Sequence, residues 1–165
     1  MLFSTDPDPV KSKTKCMYYT MQSKAKDPEK VILNGDPLPW VEKAKHLGHM
    51  LTTEIIKEYA YPNTNNDLLV KRAIFFGKVH SLIQEFGFCS KRLLSELMRI
   101  YSTSFYGSMI WSIRSEEYNK LLRSFNSAIK MIWDLHHQTH KNFIEQLIDY
   151  PHLQSMLHSR YIGFA

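Results

Sequence analysis

Three lysines at alternate positions, Lys11, Lys13 and Lys15, are the residues whose type and spacing most plainly suggest chemistry. In an extended strand alternate side chains share one face, so three ammonium groups line up as a row able to meet phosphates. The same spacing also suits a solvated edge strand, where lysines block unwanted pairing, and both readings stand on the residues alone. Asp6 and Asp8 form an acidic pair, but the interleaved prolines Pro7 and Pro9 and the adjoining lysines favour a solvated turn over a cation site. His136, His137 and His140 offer the next ligand set. On a helix His136 and His140 stand one turn apart, yet no cysteine or acidic motif completes a zinc shell, and no metal site is expected. Cys16 and Cys89 are the two cysteines, far apart in sequence, and are expected as reduced, partly buried thiols. The chain contains no Gly-x-Ser-x-Gly elbow and no glycine-rich phosphate loop, so no self-sufficient catalytic centre is expected.

The elements that must position these groups change character along the 165 residues. Hydrophobic residues make up 44% and aromatics 13%, enough for a sizeable core. Before about residue 60 the pattern is strands and turns. Cys16–Met21 is predicted as a buried strand on its β-propensity. Val31-Ile32-Leu33 precedes Asn34-Gly35, a tight-turn signal, and Leu38–Val41 is the predicted return strand, with Pro39 placing it at an edge. Ala44–Thr52 is predicted as one further strand in which Gly48 permits a bulge or a close backbone approach.

Beyond Asn63 the period lengthens to that of a helix. Thr64 or Asn66 caps a first helix with Leu69, Ala73, Phe76, His80 and Ile83 on its stripe, ended by Gly87. Ser90 caps a second, with Leu94, Leu97, Met98, Tyr101, Phe105 and Met109 inward. Ser115 opens the clearest one, whose apolar face is Tyr118, Leu121, Leu122, Phe125, Ala128, Ile129 and Ile132. Thr139 starts a shorter helix bearing Phe143, Ile144, Leu147 and Ile148, and a last one covers Pro151–Ser159. Strands first and helices after predict an α+β fold, a small antiparallel sheet followed by a helical bundle.

The net charge of +5 favours polyanions, nucleic acid first and acidic membrane surface second. Lys71, Arg72, Lys78, Lys91, Arg92 and Arg99 avoid the apolar stripes, which suits a solvated face or a groove that tracks a nucleic-acid backbone. No stretch is long and apolar enough for a membrane span, and Met1–Pro9 lacks the features of a secretory leader. An intracellular location, nuclear or cytoplasmic, is expected, with no membrane partner.

Lys11–Cys16, Leu38–Val41 and Ala44–Gly48 are similar to segments of reverse transcriptases of non-LTR (LINE-like) retrotransposons. The stretch from Phe3 to Lys15 resembles the segment just downstream of the catalytic core there, and His46–Leu51 resembles the primer-grip turn, typically a Leu-Gly between strands. Tyr106-Gly107, Trp111 and Thr139-His140-Lys141 match elements of the thumb. The resemblance implies a palm remnant over residues 1–58 and a thumb over 63–165. It implies Lys11, Lys13 or Lys15 near the incoming nucleotide, and His46, Leu47 and Gly48 at the primer end. It further implies Lys71, Arg72, Lys78 and Arg99 along the backbone of the hybrid. The whole family copies RNA into DNA with two magnesium ions held on aspartates, the second of its motifs being aromatic-x-Asp-Asp. This chain contains no Asp-Asp pair. It is therefore expected to bind no cofactor, to have no polymerase activity as it stands, and to make weak contacts with an RNA/DNA template-primer and with palm and fingers. The alternative is a basic helical module that binds nucleic acid or protein without an enzymatic role, its exposed apolar surface covered by a partner or by self-association.

Overall fold

The computed structural model describes residues 14–20, 28–33, 35–56 and 61–164. Short strands come first: β1 (Ile32–Leu33), β2 (Asp36–Pro37), β3 (Lys43–His46), β4 (His49–Thr52), β5 (Ile55–Ile56) and β6 (Tyr61–Pro62). Helices come after them: α1 (Asn65–Phe86), α2 (Lys91–Ser102), α3 (Glu116–Ile132), α4 (Lys141–Leu147) and α5 (Leu153–Phe164), with a 3-10 turn at Ser108–Ile110. The fold is α+β. Backbone contacts divide it into two compact units, Met1–Asn66 and Asp67–Ala165.

Among the described residues of the first unit the strands form three separate antiparallel ladders, β1-β2, β3-β4 and β5-β6, rather than one sheet. Pro37 and Pro62 each stand inside a strand and lack the N–H that a further neighbour would need, which limits ladder growth. The Asn34-Gly35 signal holds: Gly35 has φ of 90° and Leu33 pairs with Asp36. The return strand therefore begins at Asp36, two residues before the expected Leu38, although Leu38 N–H still donates to Val31 O at 2.8 Å. The predicted buried strand over Cys16–Met21 is not formed in its described part, 16–20. Cys16 makes one parallel bridge to Trp40, and Tyr18 and Tyr19 are exposed. A two-stranded ladder offers no second layer to bury such a segment against.

The second unit is built on α3. Ser115 Oγ accepts from Tyr118 N–H at 3.1 Å and caps it, with Glu116 and Glu117 favourably placed in the positive first turn. Of its seven predicted inward residues six are buried, and Leu122 packs half-buried against the core. On α2, Ser90 Oγ accepts from Leu93 N–H at 3.3 Å, while Leu94 and Met98 point inward. This helix stops at Ser102 instead of running to Met109. Thr103 Oγ1 bonds back to Arg99 O, and Phe105 and Gly107 take positive φ, so Phe105 reaches the core from a loop.

On α1 the buried stripe is Leu68, Phe75 and Val79, one residue out of register with the predicted Leu69, Phe76 and His80; the predicted Ala73 is exposed, and the predicted Ile83 packs half-buried against the core. The helix is apolar on more than one side, so periodicity cannot choose its inner face. Two contacts do. Asp67 accepts from Trp111 Nε1–H at 2.7 Å, and Phe75 meets Phe105 and Phe125 with ring centroids 6.0 and 6.5 Å apart. Gly87 ends α1 as predicted, because a Cβ there would lie 2.5 Å from Ile83 O. Beside this core His152 packs edge-on against Phe125, and burial, with Lys141 nearby, holds its pKa below the ordinary histidine value.

Tyr118 carries an exception to polar satisfaction. It is 2% exposed, its hydroxyl has no hydrogen-bond partner among the described residues, and burial raises its pKa. A buried hydroxyl without a partner costs stability relative to a CH group. Tyr118→Phe is therefore expected to leave the melting temperature unchanged or to raise it, by up to about 1 kcal/mol of stability. A loss above that in thermal melts would show that the hydroxyl is bonded in solution.

Candidate nucleic-acid interface

His46-Leu47-Gly48-His49 closes the β3-β4 ladder as a two-residue turn. His46 pairs with His49, and Leu47 and Gly48 take φ of 47° and 82°. Positive φ at both central positions is the geometry of a type I′ hairpin loop, where asparagine and glycine are the usual occupants. The single strand predicted over Ala44–Thr52 is thus two strands and a turn. Gly48 adopts this conformation freely, whereas Leu47 bears a left-handed backbone at a cost of roughly 1 kcal/mol. No burial compensates Leu47, whose side chain is 73% exposed at the hairpin tip.

A concavity of about 590 Å³ lies beside this turn, lined by Lys15, Met17, Tyr19, Ala44, Lys45, His46 and Leu51. It joins the last of the three predicted lysines to the first residue of the predicted primer-grip turn. Lys15, Lys45, His46 and Tyr19 are all exposed, so two ammonium groups, an imidazole and a phenol ring face solvent around one hollow. Such a set neutralises and hydrogen-bonds phosphate oxygens and offers a ring for a base to stack on. Leu47 and Gly48 stand at the tip of the hairpin and not in the lining. Lys11 and Lys13 lie outside the described residues, as do Asp6 and Asp8.

Sequence reasoning missed Lys45 and Tyr19. The signal for Lys45 was the alternation Lys43-Ala44-Lys45 in a strand that opens a hairpin. Tyr19 gave no signal, because an aromatic beside Tyr18 suggests a core strand.

The four helical cations are placed differently. Arg72 Nη1 donates to Glu117 Oε2 at 3.4 Å, and Lys78 Nζ donates to Tyr101 O at 3.0 Å. Arg99 is paired with Glu96 and stands over the Tyr150 ring, 5.6 Å from its centroid. That hydrogen bond holds the Glu96 carboxyl below its usual range, while burial pushes the Tyr150 phenol up. Lys71 is half-buried on α1. Of the four, Lys78 alone lines the groove between α1 and α2. A phosphate would have to compete with an internal partner for Arg72, Lys78 and Arg99.

Among the described residues no group of three or more His, Cys, Asp or Glu side chains converges on a metal position. His136 and His140 are not one helical turn apart, since α3 ends at Ile132 and α4 begins at Lys141. His140 instead caps α4, its Nδ1 accepting from Asn142 N–H at 3.3 Å. Among the described residues no helix is long and apolar enough to cross a membrane. No protein-family model matches the chain, and neither does any curated protein or solved structure.

Proposed function

We propose that the chain is a template-primer-contacting portion of an RNA-directed DNA polymerase of the non-LTR retrotransposon kind, with no catalytic role of its own. The observation that carries this reading is the cationic hollow formed by Lys15, Lys45 and His46 beside the His46–His49 turn. In this reading the lysines hold backbone phosphates, Tyr19 stacks on a base, and the exposed, strained Leu47 packs against the primer end. Strain kept at an exposed position with no packing return is the pattern of a contact residue. The helical unit adds less, because Arg72, Lys78 and Arg99 already have internal partners. Polymerisation needs carboxylates to hold two metal ions, and the aromatic-x-Asp-Asp motif that supplies them in the family does not occur in these 165 residues.

The test is fluorescence anisotropy of the whole chain with a labelled RNA–DNA hybrid over a range of salt. Binding is expected to weaken steeply with salt and to show little sequence preference. Lys15→Glu with Lys45→Glu should weaken it roughly tenfold or more near 0.1 M salt, and should lower the salt slope by about 2. An unchanged affinity would remove the hollow from the interface.

A second reading, a helical interaction module without enzymatic role, is supported by a different observation. Leu93, Ile100 and Tyr101 of α2 and Ile74 of α1 are exposed apolar side chains on neighbouring helices.

A further inference from the structure

The apolar face of helix α2 is wider than the core covers. Leu94 and Met98 enter the core, while Leu93, Ile100 and Tyr101, spaced by seven and eight residues, face outward with Tyr101 59% exposed. Helix α1 adds Val70 and Ile74, the latter 49% exposed. Between the two helices runs a groove of about 810 Å³, with Ile74, Leu82, Phe86, Leu97 and Tyr101 in its walls. Gly77 also lines it, and a Cβ built there meets nothing within 4 Å. An open apolar trough of this kind needs a cover, and its rim charges specify which.

Lys78 and Glu85 line the same groove. They are seven residues apart, so they lie on one side of α1 about 10 Å from each other along its axis. Lys78 is steadied by its bond to Tyr101 O, and among the described residues no ion pair engages Glu85. The pattern is self-complementary. When a second α1 lies antiparallel across the first, with the two-fold axis between Ser81 and Leu82, Lys78 faces Glu85 of the other copy and Glu85 faces its Lys78. Gly77 and Phe86, nine residues apart on α1, border this seam on its opposite flanks. A parallel pairing would set lysine against lysine and glutamate against glutamate. Only the antiparallel register satisfies both charges at once.

We propose that the outward α1–α2 face is the interface of a two-fold symmetric dimer of this chain, centred on Ser81 and Leu82. Apolar burial supplies the affinity, and the paired charges fix the direction and register. This face belongs to the helical unit, whereas the cationic hollow belongs to the first unit, so either assignment can fail without the other.

Sedimentation velocity of the whole chain over a concentration series tests it. A monomer–dimer equilibrium with no larger species is expected. Lys78→Glu and Glu85→Lys should each weaken the dimer roughly tenfold, since each single change creates two like-charge contacts. Mixing these two variants should give a heterodimer, and the double swap should restore self-association to the level of the unaltered chain. Gly77→Leu, which meets no neighbour within the chain, should keep the helical circular dichroism and abolish the dimer. A monomer at every soluble concentration, an open-ended series of oligomers, or a dimer indifferent to the charge changes and to Gly77→Leu would overturn the proposal.

Discussion

Phe75→Ala is expected to remove about 4 kcal/mol from the stability of the helical unit, and Phe76→Ala much less. The two residues are neighbours of the same type on one helix, yet Phe75 is fully buried and Phe76 only partly so. Phe75 also sits where three segments meet, its ring against Phe105 from the loop after α2 and against Phe125 of α3. Truncation removes the transfer energy of the ring and leaves a cavity whose walls are themselves large rings, which collapse poorly into the space. A loss of that size in a unit of this length corresponds to a fall in melting temperature of roughly 20 °C. Phe88→Ala, at a side chain 86% exposed, should change stability by less than about 0.5 kcal/mol. A larger loss at Phe76 than at Phe75 in chemical denaturation would mean that the buried face of α1 is the one that carries Leu69 and Phe76.

That contrast shows where the fold was legible in the chain and where it was not. α3 was readable in full because its apolar residues occupy one stripe, its polar residues occupy the other, and Ser115 caps it. Local pattern and tertiary packing agree there, so either one suffices. α1 was readable as a helix but not as an oriented one. Leu68, Leu69, Val70, Ala73, Ile74, Phe75 and Phe76 cover most of its circumference, and the choice of face is made by Trp111 and Phe105, which approach from distant sequence. The strands were legible only where a turn announced them. Asn34-Gly35 located the β1-β2 hairpin, whereas the Leu47-Gly48 turn was hidden from a pattern reading because leucine at positive φ carries no turn signal. The candidate site shows the same limit. Lys15 and His46 each stand out in the sequence, but what places them around one hollow is the Cys16–Trp40 bridge, where Cys16 N–H donates to Pro39 O at 3.0 Å and Val41 N–H donates to Cys16 O at 2.9 Å. Neither contact leaves a trace in periodicity or composition.

Trp111→Phe is expected to cost the helical unit about 2–3 kcal/mol, and the reason is the indole N–H rather than the ring. Trp111 is 2% exposed and stacks edge-on with Phe105 at 5.6 Å, a contact that phenylalanine largely keeps. What it loses is the 2.7 Å hydrogen bond to Asp67 Oδ2, and Asp67 is wholly buried in the first turn of α1. Hydrogen bonds to a carboxylate are stronger than those between neutral groups, and this one lies in a buried site. Trp133 provides the internal comparison. Its Nε1–H donates at 2.8 Å to the Ser95 hydroxyl, a neutral acceptor, and its ring is only half-buried. Trp133→Phe should therefore cost about 1 kcal/mol. A double-mutant cycle separates charge from geometry: with Asp67→Asn already in place, the cost of Trp111→Phe should fall towards the Trp133 value. If Trp111→Phe and Trp133→Phe proved equally mild by denaturant titration, the Asp67–Trp111 bond would not be what selects the inner face of α1. Phe75 and its two aromatic neighbours would then have to orient the helix alone.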